Sequence, residues 1–426
     1  MNLPIQWESY AGIIGIDWGD KNHAICMRLP DGSEIESKLA HTPEAIAEWA
    51  EELRNRREGC FAVGLEQSRG SVCTALIEHT DVLDIYPVNP LSVHLFRKTW
   101  SPAGAKNDPS DARLICEMMR THPDRMRPLR IQDPETQSLK LLNEKRRKLV
   151  DLRTRLVEQL ISQLKDYFPQ ALELTGGDFS NRLSCDFLRK WKSLQSVQRA
   201  RPSTLRQFYY DHNCRSKKRV EERLKLVQSA VPLTTNDHLM EPMIRMVQVL
   251  VEHISLLNEQ IRCFDQVIHQ TFRACEDAGL FRSFPGAGAA LAPRLLAIFG
   301  QDRERWSDAE EVQKYTGIAP VVVQSGKSSK TQRRYARPRF DHQTFVEFAR
   351  CSKQYCAWAA GFHDMKKSQG MGENAILRAL AFKWIRIMYI CWKNHVPYDD
   401  EAYTAMLRKK NSPCLCFIPA PTEDVA

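Results

Sequence analysis

Four carboxylates in the first part of the chain stand where strands should end or a helix should begin. Asp17 closes one apolar run, Glu66 follows another, and Asp108 and Asp111 are three residues apart, a spacing that puts two side chains on one helical face. Carboxylate oxygens are the ligands that Mg²⁺ prefers, and two ions roughly 3.5–4 Å apart can stabilise the attacking and leaving oxygens of phosphoryl transfer. The acids therefore predict a site for two Mg²⁺ ions that acts on phosphate groups.

Each acid also has an ordinary structural explanation. Asp108 could cap the helix that Pro109 would begin, Asp111 could favour the helix dipole, and Glu66 could be a solvated loop acid. Asp17 is the least ordinary of the four, because an acid at the end of a buried strand must be compensated. Taken together on successive elements, the four acids favour the metal site.

A serine in the last third of the chain could supply a nucleophile. Ser325 stands before Gly326, and no acid lies between it and Phe340. Six cations do lie in that interval, namely Lys327, Lys330, Arg333, Arg334, Arg337 and Arg339. Cations neutralise phosphate charge, but a serine hydroxyl needs a base or a metal to become a nucleophile, and the Mg²⁺ site is the predicted activator. Ser325 could equally be a loop hydroxyl, and Ser328 and Ser329 compete with it.

Further residues are predicted to contact nucleic acid. Gly286 and Gly288 resemble the loop of a helix-hairpin-helix motif, whose amides can bind a phosphate, although a plain glycine turn before a core helix explains them equally well. The other predicted contacts are basic residues beside the acid pair, on a long helix or in the serine segment: Lys106, Arg113, Arg146, Arg147, Lys327, Lys330, Arg333 and Arg334, with the amide of Gly326.

The order of elements predicts how these residues are positioned. Residues 12–120 read as three strands, helix, strand, helix, strand, helix, which suits an RNase H-like α/β domain. Helical patterns over 134–168 and 238–274 predict either an antiparallel coiled-coil arm or an ordinary helical bundle. Residues 280–400 are largely helical. The predicted parts are therefore an α/β domain at 1–125, a helical region at 126–278, a helical domain at 279–403 and a loose tail at 404–426.

Composition bounds the partners and the compartment. The chain has 426 residues, of which 43% are hydrophobic, and this is enough for two or three hydrophobic cores. Its net charge of +9 favours a polyanionic partner. Its 13 cysteines include no CxxC pair, which argues against a zinc site and a disulfide framework. No signal peptide or membrane span is evident. We expect a cytoplasmic protein.

At this point the ordered motifs resemble one known family. They are Gly15-Ile16-Asp17, Glu66, Asp108–Arg113, Pro285–Gly288, Gly317–Pro320 and Ser325-Gly326. This set is similar to the DEDD transposases of the insertion-sequence 110 class, which are RuvC-like recombinases of bacterial mobile elements. The stretch 170–235 is longer than in compact members.

The resemblance implies a mechanism and partners. Asp17, Glu66, Asp108 and Asp111 would be the metal-binding tetrad, and Ser325 would form a transient phosphoserine link to DNA during site-specific cleavage and rejoining. A structured guide RNA and a dimer or tetramer would take part, with the acidic and serine domains donated in cis or in trans. The alternatives are a RuvC-like metal-dependent junction nuclease that uses water, and a nucleic-acid-binding scaffold without catalysis.

Overall fold

The protein consists of two compact units, Met1–Ile131 and Gln132–Ala426. The computed structural model describes residues 6–56, 59–66, 70–100, 108–326 and 328–418, apart from the side chains of Trp100 and Asp108. The first unit is a mixed α/β structure and the second is largely helical, as the sequence predicts. Within the described ranges, no helix is both long and apolar enough to cross a lipid bilayer.

A five-stranded sheet forms the centre of the first unit. Its strands are β1 (Gly12–Asp17), β2 (Asn22–Arg28), β3 (Glu34–Ala40), β4 (Phe61–Leu65) and β5 (Leu83–Pro87). They lie in the order β3-β2-β1-β4-β5. The first three strands pair antiparallel, whereas β4 pairs parallel to both β1 and β5. The carboxyl ends of β1, β4 and β5 therefore meet at one edge of the sheet.

Helices cover both faces of this sheet. They are α1 (Pro43–Arg56), α2 (Ser71–Ile77), α3 (Pro90–Trp100) and α4 (Asp108–Thr121). Side chains alternate between the two faces along a strand, so Ile14 and Ile16 pack with Trp49 of α1, whereas Ile13 packs with Ile115 of α4 on the other side. Burying a large apolar side chain stabilises a fold by about 1.5–3 kcal/mol, and both faces are lined with such groups.

Helix α3 is an element that the sequence reading missed. The predicted order of elements passes from the last strand to the last helix, so that Asn89-Pro90 would only end that strand. The Asn89 side chain instead accepts a hydrogen bond from the backbone N–H of Leu91 (2.9 Å), and Pro90 occupies the first helical position, where its missing N–H does no harm. The same two residues thus stop a strand and start a helix.

Two long helices, α5 (Pro134–Tyr167) and α11 (Asp237–Ala274), pack against each other in the second unit. Arg146 of α5 pairs with Asp265 of α11. One heptad further along α5, Arg153 donates to Asn258, which lies one heptad before Asp265 on α11. The two helices are therefore antiparallel. The leucines of α5 are buried only in part, since Leu160 and Leu164 are inaccessible but Leu152 is 38% exposed.

The stretch between the long helices folds into a small helical bundle with its own core. Its helices are α6 (Ala171–Thr175), α7 (Arg182–Lys190), α8 (Leu194–Gln198), α9 (Pro202–Asp211) and α10 (Lys217–Ser229). Phe187, Trp191 and Phe208 form its aromatic centre, with ring centroids 4.9–5.9 Å apart. The longer stretch noted in the sequence is thus a packed insert.

The remaining chain surrounds a tryptophan-rich core and carries one hairpin. Its helices are α12 (Ala278–Arg282), α13 (Gly288–Phe299), α14 (Ala309–Tyr315), α15 (Arg339–Tyr355), α16 (Ala357–Ser368), α17 (Glu373–Lys393) and α18 (Asp400–Lys409). The hairpin strands are β6 (Val321–Ser325) and β7 (Ser328–Gln332). Trp358, Trp384 and Trp392 are fully buried in this core.

The expected loose tail is instead folded through residue 418. Helix α18 continues to Lys409, and a 3₁₀ turn covers Pro413–Phe417. Cys414 of that turn is 1% exposed and belongs to the core. Gly361 of α16 permits the contact, because a Cβ there would lie 2.5 Å from the Cys414 carbonyl oxygen. Residues 419–426 lie outside the described part of the chain.

Candidate functional site

Two of the predicted acids stand side by side at the carboxyl edge of the sheet. Strands β1 and β4 are parallel, and Ile16 is the register partner of Leu65. Asp17 and Glu66 are the next residue on each strand, and both are half-buried. Adjacent parallel strands lie about 4.8 Å apart. The register therefore places the two carboxylate-bearing residues next to each other.

Two glycines determine which helix these acids face. A Cβ on Gly15 would lie 2.1 Å from the Ala112 carbonyl oxygen, and a Cβ on Gly64 would lie 2.6 Å from Ile115 Cγ2. Both glycines thus point at α4, which seats directly on the sheet. Because side chains alternate along a strand, Asp17 and Glu66, each two residues further on, belong to the same face.

Helix α4 brings its first turn toward the same edge. Ala112 lies at Gly15, and the Cys116 thiol donates to the carbonyl oxygen of Ile13 (3.5 Å), so the helix runs opposite to β1. Its beginning, with Asp108 and Asp111, therefore overlies the end of β1 that carries Asp17.

Asp111 is buried and has a cationic neighbour that the sequence reading did not anticipate. The side chain of Asp111 is 2% exposed, and Arg97 Nη2 of α3 lies 2.7 Å from its Oδ1. Among the described residues, neither this Oδ1 nor Arg97 Nε has a partner with hydrogen-bond angles. The contact is therefore an ion pair of opposite charges with unmade hydrogen bonds. An unnoticed helix start at Asn89-Pro90 was the signal that could have revealed Arg97.

The elements that carry the acids converge at one edge of the sheet, but the tetrad itself stays a prediction. Among the side chains that the structure describes, no three His, Cys, Asp or Glu residues are grouped so that they could hold a metal ion. The side chain of Asp108 is not among them. What the structure brings together is the pair of strand ends with Asp17 and Glu66 and the helix start with Asp111.

Ser325 lies at the tip of a hairpin rather than in an irregular loop. It is the last residue of β6 and pairs with Ser328, the first residue of β7. Gly326 follows it with φ of 56°, in the left-handed region that glycine adopts more readily than other residues. The β-branched run Val321–Val323 before this glycine was the signal for a strand.

The hairpin register separates the serines that compete for the nucleophilic role. Residues directly opposite each other point to the same face of a two-stranded sheet, so Ser325 and Ser328 share one face. Ser329 is opposite Gln324 and lies on the other face. Lys330, opposite Val323, returns to the face of Ser325. Ser325, Ser328 and Lys330 are all exposed.

The predicted basic contacts differ in how their charges are used. Arg113 pairs with Glu34 (2.6 Å), Arg146 with Asp265, and Arg147 with Asp151 (2.9 Å), so these three stabilise contacts within the chain. Arg333 is exposed and Arg334 is half-buried after β7. The predicted contacts Lys106 and Lys327 lie outside the described residues.

The two glycines before α13 have different surroundings. Gly286 has φ of 82°, and a Cβ there would lie 2.9 Å from the Cys351 carbonyl carbon, so its absence of a side chain permits packing against α15. Gly288 begins α13 and is exposed. Close packing explains Gly286, whereas only Gly288 presents an accessible helix start.

Comparison with known proteins decides the family. Residues 14–169 match the DEDD model of IS110-class transposases, described as "Transposase", and residues 278–363 match "Transposase IS116/IS110/IS902 family". This chain belongs to the IS110 family of transposases. The enzyme class follows, since a transposase cuts and rejoins DNA.

Relatives resemble this transposase over nearly its whole length. The mini-circle putative transposase for IS117 of Streptomyces coelicolor is 22% identical over 94% of this chain and 99% of the relative. The IS116 44.8 kDa protein of Streptomyces clavuligerus is 24% identical over 96% of both chains. The IS900 42 kDa protein of Mycobacterium paratuberculosis is 24% identical over 92% of this chain and 98% of the relative.

The two family matches cover the two candidate centres of the transposase separately. The first match contains all four acids, and the second contains Ser325 and the basic run after it. Most of the helical insert between α5 and α11 lies outside both. DEDD-type transposases generally depend on a divalent metal ion, which agrees with the expectation of a divalent-metal cofactor.

Proposed function

We propose that this transposase cleaves and rejoins DNA with a Mg²⁺ site at Asp17, Glu66, Asp108 and Asp111 and with Ser325 as the nucleophile. The observation that carries the proposal is the convergence at one sheet edge: Asp17 and Glu66 end adjacent parallel strands, facing the helix that begins with the other two acids. The strand order β3-β2-β1-β4-β5, with only β2 antiparallel to its neighbours, supports an RNase H-like assignment for this unit.

The donor set suits a hard divalent cation. All four residues supply carboxylate oxygens, and the buried Oδ1 of Asp111 has no hydrogen bond among the described residues, so it keeps a lone pair for a ligand. Mg²⁺ bound there would stabilise negative charge on the phosphate oxygens and on the leaving oxygen. Without metal, Arg97 supplies the positive charge that Asp111 needs, and we propose that it orients this carboxylate.

The serine step exchanges one phosphate ester for another. Ser325 Oγ forms a bond to phosphorus while the bond from phosphorus to one sugar oxygen breaks, and that oxygen leaves as a hydroxyl. The serine proton passes to a base or to water. The reverse exchange, with a different sugar hydroxyl attacking the phosphoserine, would rejoin the strands. No net oxidation or hydrolysis is required.

Partners beyond DNA are part of the same proposal. A net charge of +9 supports binding of a second polyanion, and we propose that it is a structured guide RNA, as the family resemblance implies. A dimer or tetramer is supported by apolar side chains on the outer face of α11: Leu239, Met246, Val249 and Leu256 are each about half exposed. They recur with the spacing of a heptad seam.

Two serine variants test the nucleophile. Incubation of the transposase with DNA carrying element ends should give a protein–DNA species that survives denaturing electrophoresis. We expect Ser325→Ala to abolish it and Ser328→Ala, on the same hairpin face, to retain it. Loss in the Ser328 variant alone would move the nucleophile to that residue. Cleavage without any linked species would instead indicate a nuclease that uses water.

The metal site is tested separately from the serine. Asp17→Asn should stop strand cleavage in Mg²⁺ while DNA binding stays within a few-fold of the parent, because one ligand is lost and the basic surfaces are unchanged. Undiminished cleavage by this variant would remove the acid site from the mechanism. Equal cleavage in the presence of a chelator would do the same.

A further inference from the structure

Two arginines that follow the hairpin and one from a distant helix lie close enough to act on one another electrostatically, and we call Arg333, Arg337 and Arg378 the arginine cluster. Arg333 and Arg337 follow β7, whereas Arg378 comes from α17, some forty residues later. None of them has an ion-pair partner within the described ranges. The cluster is therefore an assembly of like charges built by the fold.

The charges of the cluster act on one another. Burial and then the neighbouring guanidinium groups of Arg333 and Arg378 lower the pKa of Arg337. Burial and then Arg333 lower the pKa of Arg378. His342 responds to the same field: burial and then Arg337 lower its pKa to about 4. No carboxylate is among the groups that act on these residues, and the opposing contributions come from Tyr335 at Arg337 and from the Thr316 backbone at His342.

Packing holds Arg337 in this position. Gly317 has φ of 68°, and a Cβ there would lie 2.3 Å from Arg337 Cδ, so the arginine stem rests on the glycine backbone. Arg337 Nη1 donates to the Arg334 carbonyl oxygen. The Nε atoms of Arg334 and Arg337 are buried without an acceptor among the described residues. A buried donor without an acceptor is unfavourable, because it has lost its hydrogen bonds to water.

Elsewhere the same domain compensates its buried arginines. Arg303 pairs with Asp277 (2.6 Å) and Arg294 with Glu347 (2.6 Å). The first acid after Arg337 in sequence, Asp341, is 1% exposed and forms no ion pair in the described part of the chain. The cluster thus departs from the pattern of carboxylate pairing found in the same domain.

We infer that the arginine cluster binds a phosphate group of the nucleic-acid backbone and thereby positions the strand on which the hairpin acts. Arginine presents a planar fork of donors that matches phosphate oxygens, and a bound phosphate would offset the mutual repulsion and accept from the orphaned nitrogens. The inference rests on the proposed function only for the source of the phosphate, a nucleic-acid strand.

The length of the hairpin sets where this contact falls. Strand β7 has five residues, which span about 17 Å at roughly 3.3 Å each. A nucleic-acid strand advances about 3.4 Å per nucleotide. A strand lying along the hairpin would therefore have about five nucleotides between the phosphate at Ser325 and the phosphate at the cluster, so the cluster serves as a positioning site remote from the reacting phosphorus.

Salt dependence of binding tests the inference without catalysis. The affinity of the full-length protein for a short DNA duplex is measured by fluorescence anisotropy over a range of NaCl concentrations. Each lost phosphate contact lowers the slope of log affinity against log salt by about 0.9. We expect that reduction for Arg378→Gln. The control is Arg182→Gln in the helical insert, whose side chain is 90% exposed, and its slope should match the parent.

Two further measurements keep the result unambiguous. Arg378→Lys keeps the positive charge but loses the planar guanidinium, so it should keep the parental salt slope and bind DNA more weakly. A slope for this variant as low as that of Arg378→Gln would overturn the inference. An unchanged slope for Arg378→Gln would overturn it as well. Sulfate should raise the melting temperature of the parent more than that of Arg378→Gln, and equal shifts would count against the site. If the parent forms no covalent link to DNA while these differences hold, the serine mechanism fails and the phosphate site stands.

Discussion

Replacing Gly15 by alanine should release α4 from the sheet, and the structure gives the size of the effect. The added Cβ would lie 2.1 Å from the Ala112 carbonyl oxygen and 2.7 Å from the Cys116 amide nitrogen, where ordinary contacts begin at 3.4 Å. Both obstacles are backbone atoms, so the helix must move by about 1 Å. Overpacking of this kind lowers the free energy of unfolding by about 1–3 kcal/mol. Because backbone atoms cannot rotate away, we expect a loss of about 3 kcal/mol for Gly15→Ala.

Gly64→Ala is the matched control for this prediction. Its Cβ would meet Met119 Sδ at 2.3 Å and Ile115 Cγ2 at 2.6 Å, and a flexible methionine can rotate away. We expect a cost of about 1 kcal/mol for this variant. The two glycines face the same helix, so the difference isolates the contact with backbone.

Thiol labelling of Cys116 measures the opening of α4 directly. Cys116 is 1% exposed and reacts only when the helix opens. A loss of 3 kcal/mol accelerates labelling roughly a hundredfold, since each 1.4 kcal/mol is a factor of ten, whereas buried Cys275 in the second unit should label at the parental rate. Equal labelling of Cys116 in both variants would show that α4 does not seat on the sheet through Gly15, and the convergence of the acids would lose its basis.

Two more predictions concern charges. Arg97→Met should destabilise the metal-free first unit by about 3 kcal/mol in urea unfolding, because it leaves a buried carboxylate unpaired. Adding Asp111→Asn should recover most of that loss, and strictly additive losses would mean that the two side chains do not interact. In the folded protein the pKa of His342 is lowered to about 4, so the unfolded chain binds a proton at this residue more readily. The neutral imidazole therefore contributes fully to the free energy of unfolding above pH 6.5, and this contribution is lost as the pH falls from 6.5 to about 4. His342→Gln should show a shallower decline over that window by thermal melting, and identical pH profiles would refute the assignment.

The sequence predicted the parts of the fold that bury apolar side chains in a regular pattern. The strand ending at Asp17, the buried run before Glu66 and the two long helices were readable because burial imposes a period on the residues. The family assignment followed from ordered motifs and is confirmed. The individual roles of the four acids and Ser325 remain predictions, since residue types and spacing do not measure how closely side chains approach.

What the sequence could not predict depends on contacts between distant residues. The hairpin was missed because both faces of β6 and β7 are exposed, so no alternation of polar and apolar residues marks them. Arg146 looked like a nucleic-acid contact because its partner Asp265 is 119 residues away. Arg97 escaped notice because a single Asn-Pro pair both ended a strand and capped a helix. Local patterns do not reveal which charges are already neutralised.

The exposure of the hairpin has a consequence for when the protein can react. A two-stranded hairpin is marginally stable on its own in water, and every residue of β6 and β7 except Val321 is exposed. Such a ribbon gains its fixed shape from whatever lies against it. If Ser325 is the attacking group, substrate itself completes the alignment of the hydroxyl, and a protein without bound substrate has little capacity for stray breaks in the host chromosome.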